Sequence, residues 1–114
     1  MRKFRHLIGQ YERAARNTEA ADFDGVEIHA ANGYLIDQFI ESNTNTRSDT
    51  YGGAIQNRAR LLFEIVEALI PILGADRIGV RLSPLGKMND ISDDNPESTF
   101  GCIAERLSTL DWPI

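Results

Sequence analysis

Phe23-Asp24-Gly25-Val26-Glu27-Ile28-His29 is the stretch on which the fold turns. A β-branched run opened by an Asp-Gly turn signal predicts a strand over Gly25 to His29. Alternation sends Val26 and Ile28 to one face and Glu27 and His29 to the other. Its counterpart is Ile78-Gly79-Val80-Arg81-Leu82, a second strand stopped by Ser83-Pro84, with Ile78, Val80 and Leu82 on one face and Gly79 and Arg81 on the other.

Helical periodicity surrounds both strands. Phe4, Leu7, Ile8, Tyr11, Ala14, Ala15 and Thr18 recur at three- and four-residue steps and predict a helix ending near Ala21. Gly33 to Glu41 reads as a short helix with Leu35, Ile36, Phe39 and Ile40 on one side, followed by a polar loop to Ala54. From Ile55 a single long helix is expected, its buried stripe formed by Ile55, Ala59, Leu62, Phe63, Val66, Leu69, Ile70 and Leu73. Pro71 and Gly74 should end or kink it. Asn89 to Pro96 is a polar loop, and Pro96 fits the first turn of a last helix over Glu97 to Leu110, with Phe100, Ile103, Ala104, Leu107 and Leu110 as its stripe. After it, Asp111-Trp112-Pro113-Ile114 falls where another strand is expected.

Helices alternating with strands predict a parallel α/β arrangement with crossover helices. Two parallel strands need cover on both faces and neighbours on both edges, so the chain reads as a piece of something larger. Its 114 residues allow one domain at most, and 12 Lys and Arg against 17 Asp and Glu leave a net charge of −5. The basic residues are scattered, which excludes a nucleic-acid footprint. Lone Cys102 can form no internal disulfide, and its place on a helix reads as packing. His6 and His29 are too far apart in sequence to suggest a zinc set. With neither a signal-peptide core nor a run of ~18 apolar residues, the chain is expected to be cytoplasmic and free of the membrane.

Ligands of parallel α/β folds gather at the C-terminal ends of strands. That rule selects His29 and Arg81, each opposite its strand's aliphatic positions. His29 reads either as a hydrogen-bonded core histidine or as a ligand contact; Arg81 reads as an ion pair with Glu27 or as an anion contact. Around His29, the cluster His29-Ala30-Ala31-Asn32-Gly33-Tyr34 sets an imidazole, a carboxamide and a phenol within six residues at a strand-to-helix turn. Two N–H donors can polarise one substrate oxygen and Tyr34 can supply a proton. Turn chemistry for Asn32 and edge packing for Tyr34 remain the alternative. Arg47, Asp49, Tyr51, Gly52, Gly53, Asn57 and Arg58 read as a structural loop-and-cap network.

Ala14-Ala15-Arg16-Asn17, Phe23 to His29, Asn32-Gly33-Tyr34-Leu35-Ile36-Asp37-Gln38-Phe39, Asn45-Thr46-Arg47-Ser48-Asp49, Tyr51-Gly52-Gly53, Asn57-Arg58-Ala59-Arg60 and Arg81-Leu82-Ser83-Pro84 follow one another in order. Asn89-Asp90 and Thr99-Phe100-Gly101 extend the series. Over residues 11 to 110 the chain thereby resembles the Old Yellow Enzyme family of FMN-dependent NAD(P)H oxidoreductases, the ene-reductases. The resemblance implies part of a (β/α)8 TIM barrel, its fourth and fifth strands with their helices, so that residues 1–114 form one partial domain: about two βα units plus a preceding helix. It further implies that His29 and Asn32 bind the carbonyl or nitro oxygen of an activated alkene, or a phenolic ligand. Tyr34 would protonate the α-carbon, and Arg81 would lie beside the flavin of FMN, which NAD(P)H reduces.

Three departures from the family pattern stand out. Asp22 occupies a position that usually holds Gly and is expected to need a left-handed backbone, Ala30 replaces a common Gly, and Pro71 is expected to shorten the long helix. The family's FMN-phosphate loops have no counterpart here, so weak or absent flavin affinity is expected of the isolated chain. The alternatives are a catalytically inactive truncated module that self-associates through exposed sheet edges, and an incomplete gene model.

Overall fold

A computed structural model describes residues 2–110. Helix α1 (Arg2–Ala20) leads into strand β1 (Val26–Ala30), then α2 (Leu35–Ile40), α3 (Ile55–Arg58), α4 (Arg60–Leu73), strand β2 (Ile78–Leu82) and α5 (Pro96–Leu107). The strands pair in parallel, from Val26 opposite Ile78 to Ala30 opposite Leu82. The strand expected around Trp112 lies outside the described residues.

Alternation works as the sequence predicts. Ile28, Ala30 and Ile78 are buried, whereas Glu27, His29, Gly79 and Arg81 are exposed on the opposite face. Helices α1 and α4 pack on each other beside the aliphatic face, where Leu61, Leu62, Ile65 and Val66 are fully buried. Each such side chain contributes about 1.5–3 kcal/mol by leaving water. One face of the sheet is therefore a core and the other is open.

Asp22 has the left-handed backbone the sequence suggested, with φ 64°. Phe23 N–H reaches Thr18 O at 3.2 Å and Asp22 N–H reaches Glu19 O at 3.0 Å, the paired bonds that close a helix on a left-handed residue. At the start of α5, Asn95 Oδ1 accepts from Ser98 N–H at 3.2 Å, and Pro96 sits in the first turn as expected.

Several expectations are corrected. The helix from Ile55 is interrupted at Ala59, where the backbone relaxes to φ −82° and ψ −6°, and beside the break Arg58 bonds the carbonyls of Ile40 and Gly53. Pro71 and Gly74, by contrast, mark the end of α4 as expected. Pro71 lies on the solvent side of the last turn, and the helix runs on to Leu73 until Gly74, at φ 86°, ends it. In α2, Leu35 is exposed and Asp37 is buried instead, since Asp37 Oδ2 accepts the Gly33 N–H at 3.0 Å. Thr99 likewise takes the buried place expected of Ala104 in α5, because Asp93 draws its hydroxyl inward. Ala14 faces solvent, and Cys102 is exposed rather than packed.

Candidate active site

His29 and Arg81 are direct partners across the parallel ladder, so both project from the open face at the strands' C-terminal ends. His29 is exposed on that open face, with no core neighbour among the described residues to hydrogen-bond it. Arg81 Nη1 does meet Glu27 Oε1, but at 3.9 Å and with both side chains more than 60% exposed. A pair so long and so wet holds with at most about 1 kcal/mol. The guanidinium is thus available to a stronger anion.

The chain leaves β1 through a tight turn, Ala31 to Tyr34, in which Asn32 has φ 56° and Gly33 φ 76°. Its backbone groups are partnered almost throughout. Asn32 N–H donates to Ser83 Oγ at 2.8 Å, and Asn32 O accepts from Asn89 Nδ2 at 2.7 Å. Gly33 N–H goes to Asp37, Gly33 O accepts from Gln38 Nε2 at 2.8 Å, and Tyr34 N–H closes on Ala31 O at 3.2 Å. So the turn dipeptide reading of Asn32-Gly33 is correct for the backbone, while the side chain of Asn32 is left over. Tyr34 is half exposed, its ring centroid 5.1 Å from that of His29 at a 49° tilt. Among the described residues, none hydrogen-bonds the His29 imidazole, the Asn32 carboxamide or the Tyr34 hydroxyl. Unspent donors at the end of a strand are what a ligand oxygen requires.

Beneath the turn lies a polar knot. Arg58 Nη1 pairs with Asp93 Oδ1 at 2.7 Å, the two side chains being 9% and 1% exposed. Thr99 Oγ1 donates to Asp93 Oδ2 at 2.7 Å. Burial would raise the Asp93 carboxyl, but the Thr99 hydroxyl, the Ser42 and Asn95 N–H groups and Arg58 together hold it below the usual carboxylate range. Glu41 behaves oppositely. It is 1% exposed, and burial first, then its hydrogen bond to Asp37 and the charges of Asp37 and Asp93, push it up to about 8. The protonated form of Glu41 is therefore favoured at neutral pH, with Asp37 one helical turn away. Asp37, Glu41, Asp93 and Thr99 were absent from the sequence-derived site and network; the only local signal is a pair of acids four apart in an otherwise apolar short helix.

The loop-and-cap network predicted around Arg47 is present. Arg47 Nη2 meets Asp49 Oδ2 at 2.6 Å, and the hydrogen bond lowers the Asp49 carboxyl. Asn57 Nδ2 bonds Gly52 O at 3.0 Å. The Arg47 guanidinium also covers the Phe4 ring, itself stacked on Tyr51 at 3.9 Å. Among the described residues no group of His, Cys, Asp and Glu could hold a metal ion, and no helix is long and apolar enough to cross a membrane. For a flavin, the donor set fits at one point: Arg81 supplies a permanent, loosely paired cation on the same open face as His29.

Comparison with known proteins follows the same outline. The model of the NADH:flavin oxidoreductase / NADH oxidase family matches residues 1–109. A probable flavin mononucleotide-dependent alkene reductase of Leishmania infantum is 50% identical over 101 residues, which are 89% of this chain and 28% of that protein. The solved structure of an Old Yellow Enzyme homologue from Zymomonas mobilis superposes with a TM-score of 0.95 at 49% identity, covering 98% of this chain and 32% of the other. Morphinone reductase in complex with tetrahydroNAD gives a TM-score of 0.93 at 38% identity, covering 96% of this chain and 30% of the other. The chain thus spans between a quarter and a third of the length of these proteins, and its two βα units with their preceding helix are an arc of a (β/α)8 TIM barrel.

Proposed function

The chain belongs to the NADH:flavin oxidoreductase / NADH oxidase family, that of the Old Yellow Enzyme, and from that premise we propose that it carries the substrate-binding and proton-donating part of an ene-reductase site for small activated alkenes. One observation carries the reading: His29 and Arg81 are register partners on the open face, and the Asn32 and Tyr34 side chains of the adjoining turn keep their polar groups unspent. FMN, when bound and reduced by NAD(P)H, supplies the hydride.

The chain's own residues do the rest. The His29 imidazole and the Asn32 carboxamide donate to the carbonyl or nitro oxygen of the alkene, drawing electron density toward it and leaving the β-carbon electron-poor. Tyr34 holds a proton on its phenol for the α-carbon, beside His29 and in reach of solvent for reloading. Arg81 offers a fixed positive charge to the anionic edge of the flavin, which its loose pairing with Glu27 permits. The lone exposed cysteine accords with a cytoplasmic setting.

The test is a visible spectrum of the chain in excess FMN, titrated with p-hydroxybenzaldehyde. A long-wavelength charge-transfer band that vanishes in His29→Ala and Asn32→Ala is the expected result; a band that persists in both variants overturns the reading. A second, non-enzymatic reading is self-association. It is favoured by the two-stranded sheet, whose outer edges have no strand partner among the described residues, and by an apolar groove of about 280 Å³ along β1 between Tyr11, Ala15, Val26 and Leu69. A concentration-dependent dimer by size exclusion, without the band, would support it.

A further inference from the structure

Asn32 and Gly33, at φ 56° and 76°, take the paired left-handed conformations that an Asn-Gly turn favours. The turn is also held from outside, by two side chains from the segment after β2, more than fifty positions along the chain. Ser83 Oγ takes the Asn32 N–H at 2.8 Å, and Asn89 Nδ2 gives to the Asn32 carbonyl at 2.7 Å, so the peptide groups on both sides of its Cα are gripped. Asn89 is itself left-handed, with φ 59°. The fit is close: a Cβ on Gly33 would stand 2.7 Å from Met88 O and 2.8 Å from Asn89 Cβ. Only glycine lets the later loop settle on the turn.

We propose that Ser83 and Asn89 are positioning residues that fix the backbone of Asn32 and thereby aim its carboxamide at the same ligand oxygen as His29, an inference that rests on the substrate role given to Asn32 above. Neither residue touches the substrate. The physical reason for such a device lies in the chemistry of the pair. An imidazole on a strand is held rigidly by the ladder, whereas a carboxamide on a two-residue turn is only as well placed as the turn. Clamping the turn from β2, the strand already registered against His29, ties the two donors to one frame.

The experiment uses the ¹⁵N-labelled whole chain, with amide exchange and probe binding read in the same samples. Ser83→Ala removes the acceptor of the Asn32 N–H. Asn89→Asp keeps the shape and left-handed tolerance of Asn89 but turns an oxygen toward the Asn32 carbonyl. Each is expected to speed exchange of the Asn32 amide about five- to tenfold, the worth of one hydrogen bond, while the strand amides of Ile28 and Val80 keep their protection. The affinity of p-hydroxybenzaldehyde in excess FMN is expected to fall about tenfold in Asn89→Asp, and not to fall further when Asn32→Ala is already present. Because a clamp variant could unfold the loop, slowed exchange of the Asn89 carboxamide protons in the unaltered chain provides the second measurement. The proposal is overturned if the Asn32 amide is unmoved in both variants, if the Asn89 carboxamide exchanges like free asparagine, or if Asn89→Asp weakens the probe equally without Asn32. Failure of the substrate reading looks different: the probe then leaves the His29 and Asn32 resonances of the unaltered chain in place, whatever the variants do to the Asn32 amide.

Discussion

Replacing Glu41 by Gln should remove most of the pH dependence of stability between about pH 5 and about pH 8. In the native chain Glu41 is pushed up to about 8 from an ordinary 4.5 by burial and by Asp37 and Asp93. The sign follows from the proton count. Below about pH 4 both native and unfolded chains hold this proton and the full stability is present; above it the unfolded chain ionises freely while the native one must keep its proton, so stability falls until about pH 8 and then levels. The whole interval corresponds to about 5 kcal/mol. That is a ceiling, because Glu41 borders a groove of about 220 Å³ also lined by Lys87, Ser92 and Asp93, where water shares the charge. A measured loss of about 2 kcal/mol is expected. Urea midpoints across this range, for the unaltered chain and Glu41→Gln, make the comparison, and the difference cancels every other titrating group. The glutamine can still donate to Asp37 but cannot ionise. Parallel curves for the two chains would refute the protonated Glu41.

Arg58→Ala strips Asp93 of its buried partner and two carbonyls of their donor, and should cost about 3–5 kcal/mol in a urea melt, enough to leave the chain largely unfolded. Asp22→Gly relieves a left-handed residue that no contact requires to be acidic, and should raise the melting midpoint by up to about 1 kcal/mol; a loss would show that the Asp22 side chain contributes. Tyr34→Phe should keep p-hydroxybenzaldehyde binding within about twofold yet slow alkene reduction by about a hundredfold or more, measured with this segment grafted into a full-length flavin-binding relative; equal rates would remove Tyr34 from the proton step.

The strand reading of Gly25 to His29 differs from the observed Val26–Ala30 by one residue at each end, and that of Ile78 to Leu82 is observed as expected. The reason is that alternation is a local property: once a run is a strand, the pleat alone puts Ile28 inside and His29 outside. The same holds for Leu62, Phe63, Val66, Leu69 and Leu73 in the stripe of α4, whereas Leu61 and Ile65, off the predicted stripe, are buried as well because the helix is covered on more than one side. Asp22 was legible through the resemblance, because the family usually holds Gly at this helix end, and its backbone is left-handed at φ 64°. Pro71 and Gly74 marked where the long helix ends, at Leu73.

The amino-acid sequence by itself settled the alternation of helix and strand and the two faces of each strand, because both are written in periods along the chain, and its ordered motifs carried the family resemblance. Only the tertiary structure decided which polar residues are buried and which are free. That Arg58 reaches Ile40, Asp93 and Thr99, and that Ser83 and Asn89 grip Asn32, are facts about segments brought together across 18 to 57 positions. No period encodes such meetings. A buried polar group is tolerated only where its partner arrives from elsewhere in the fold, so its role is fixed by the folded neighbourhood and not by its place in the chain.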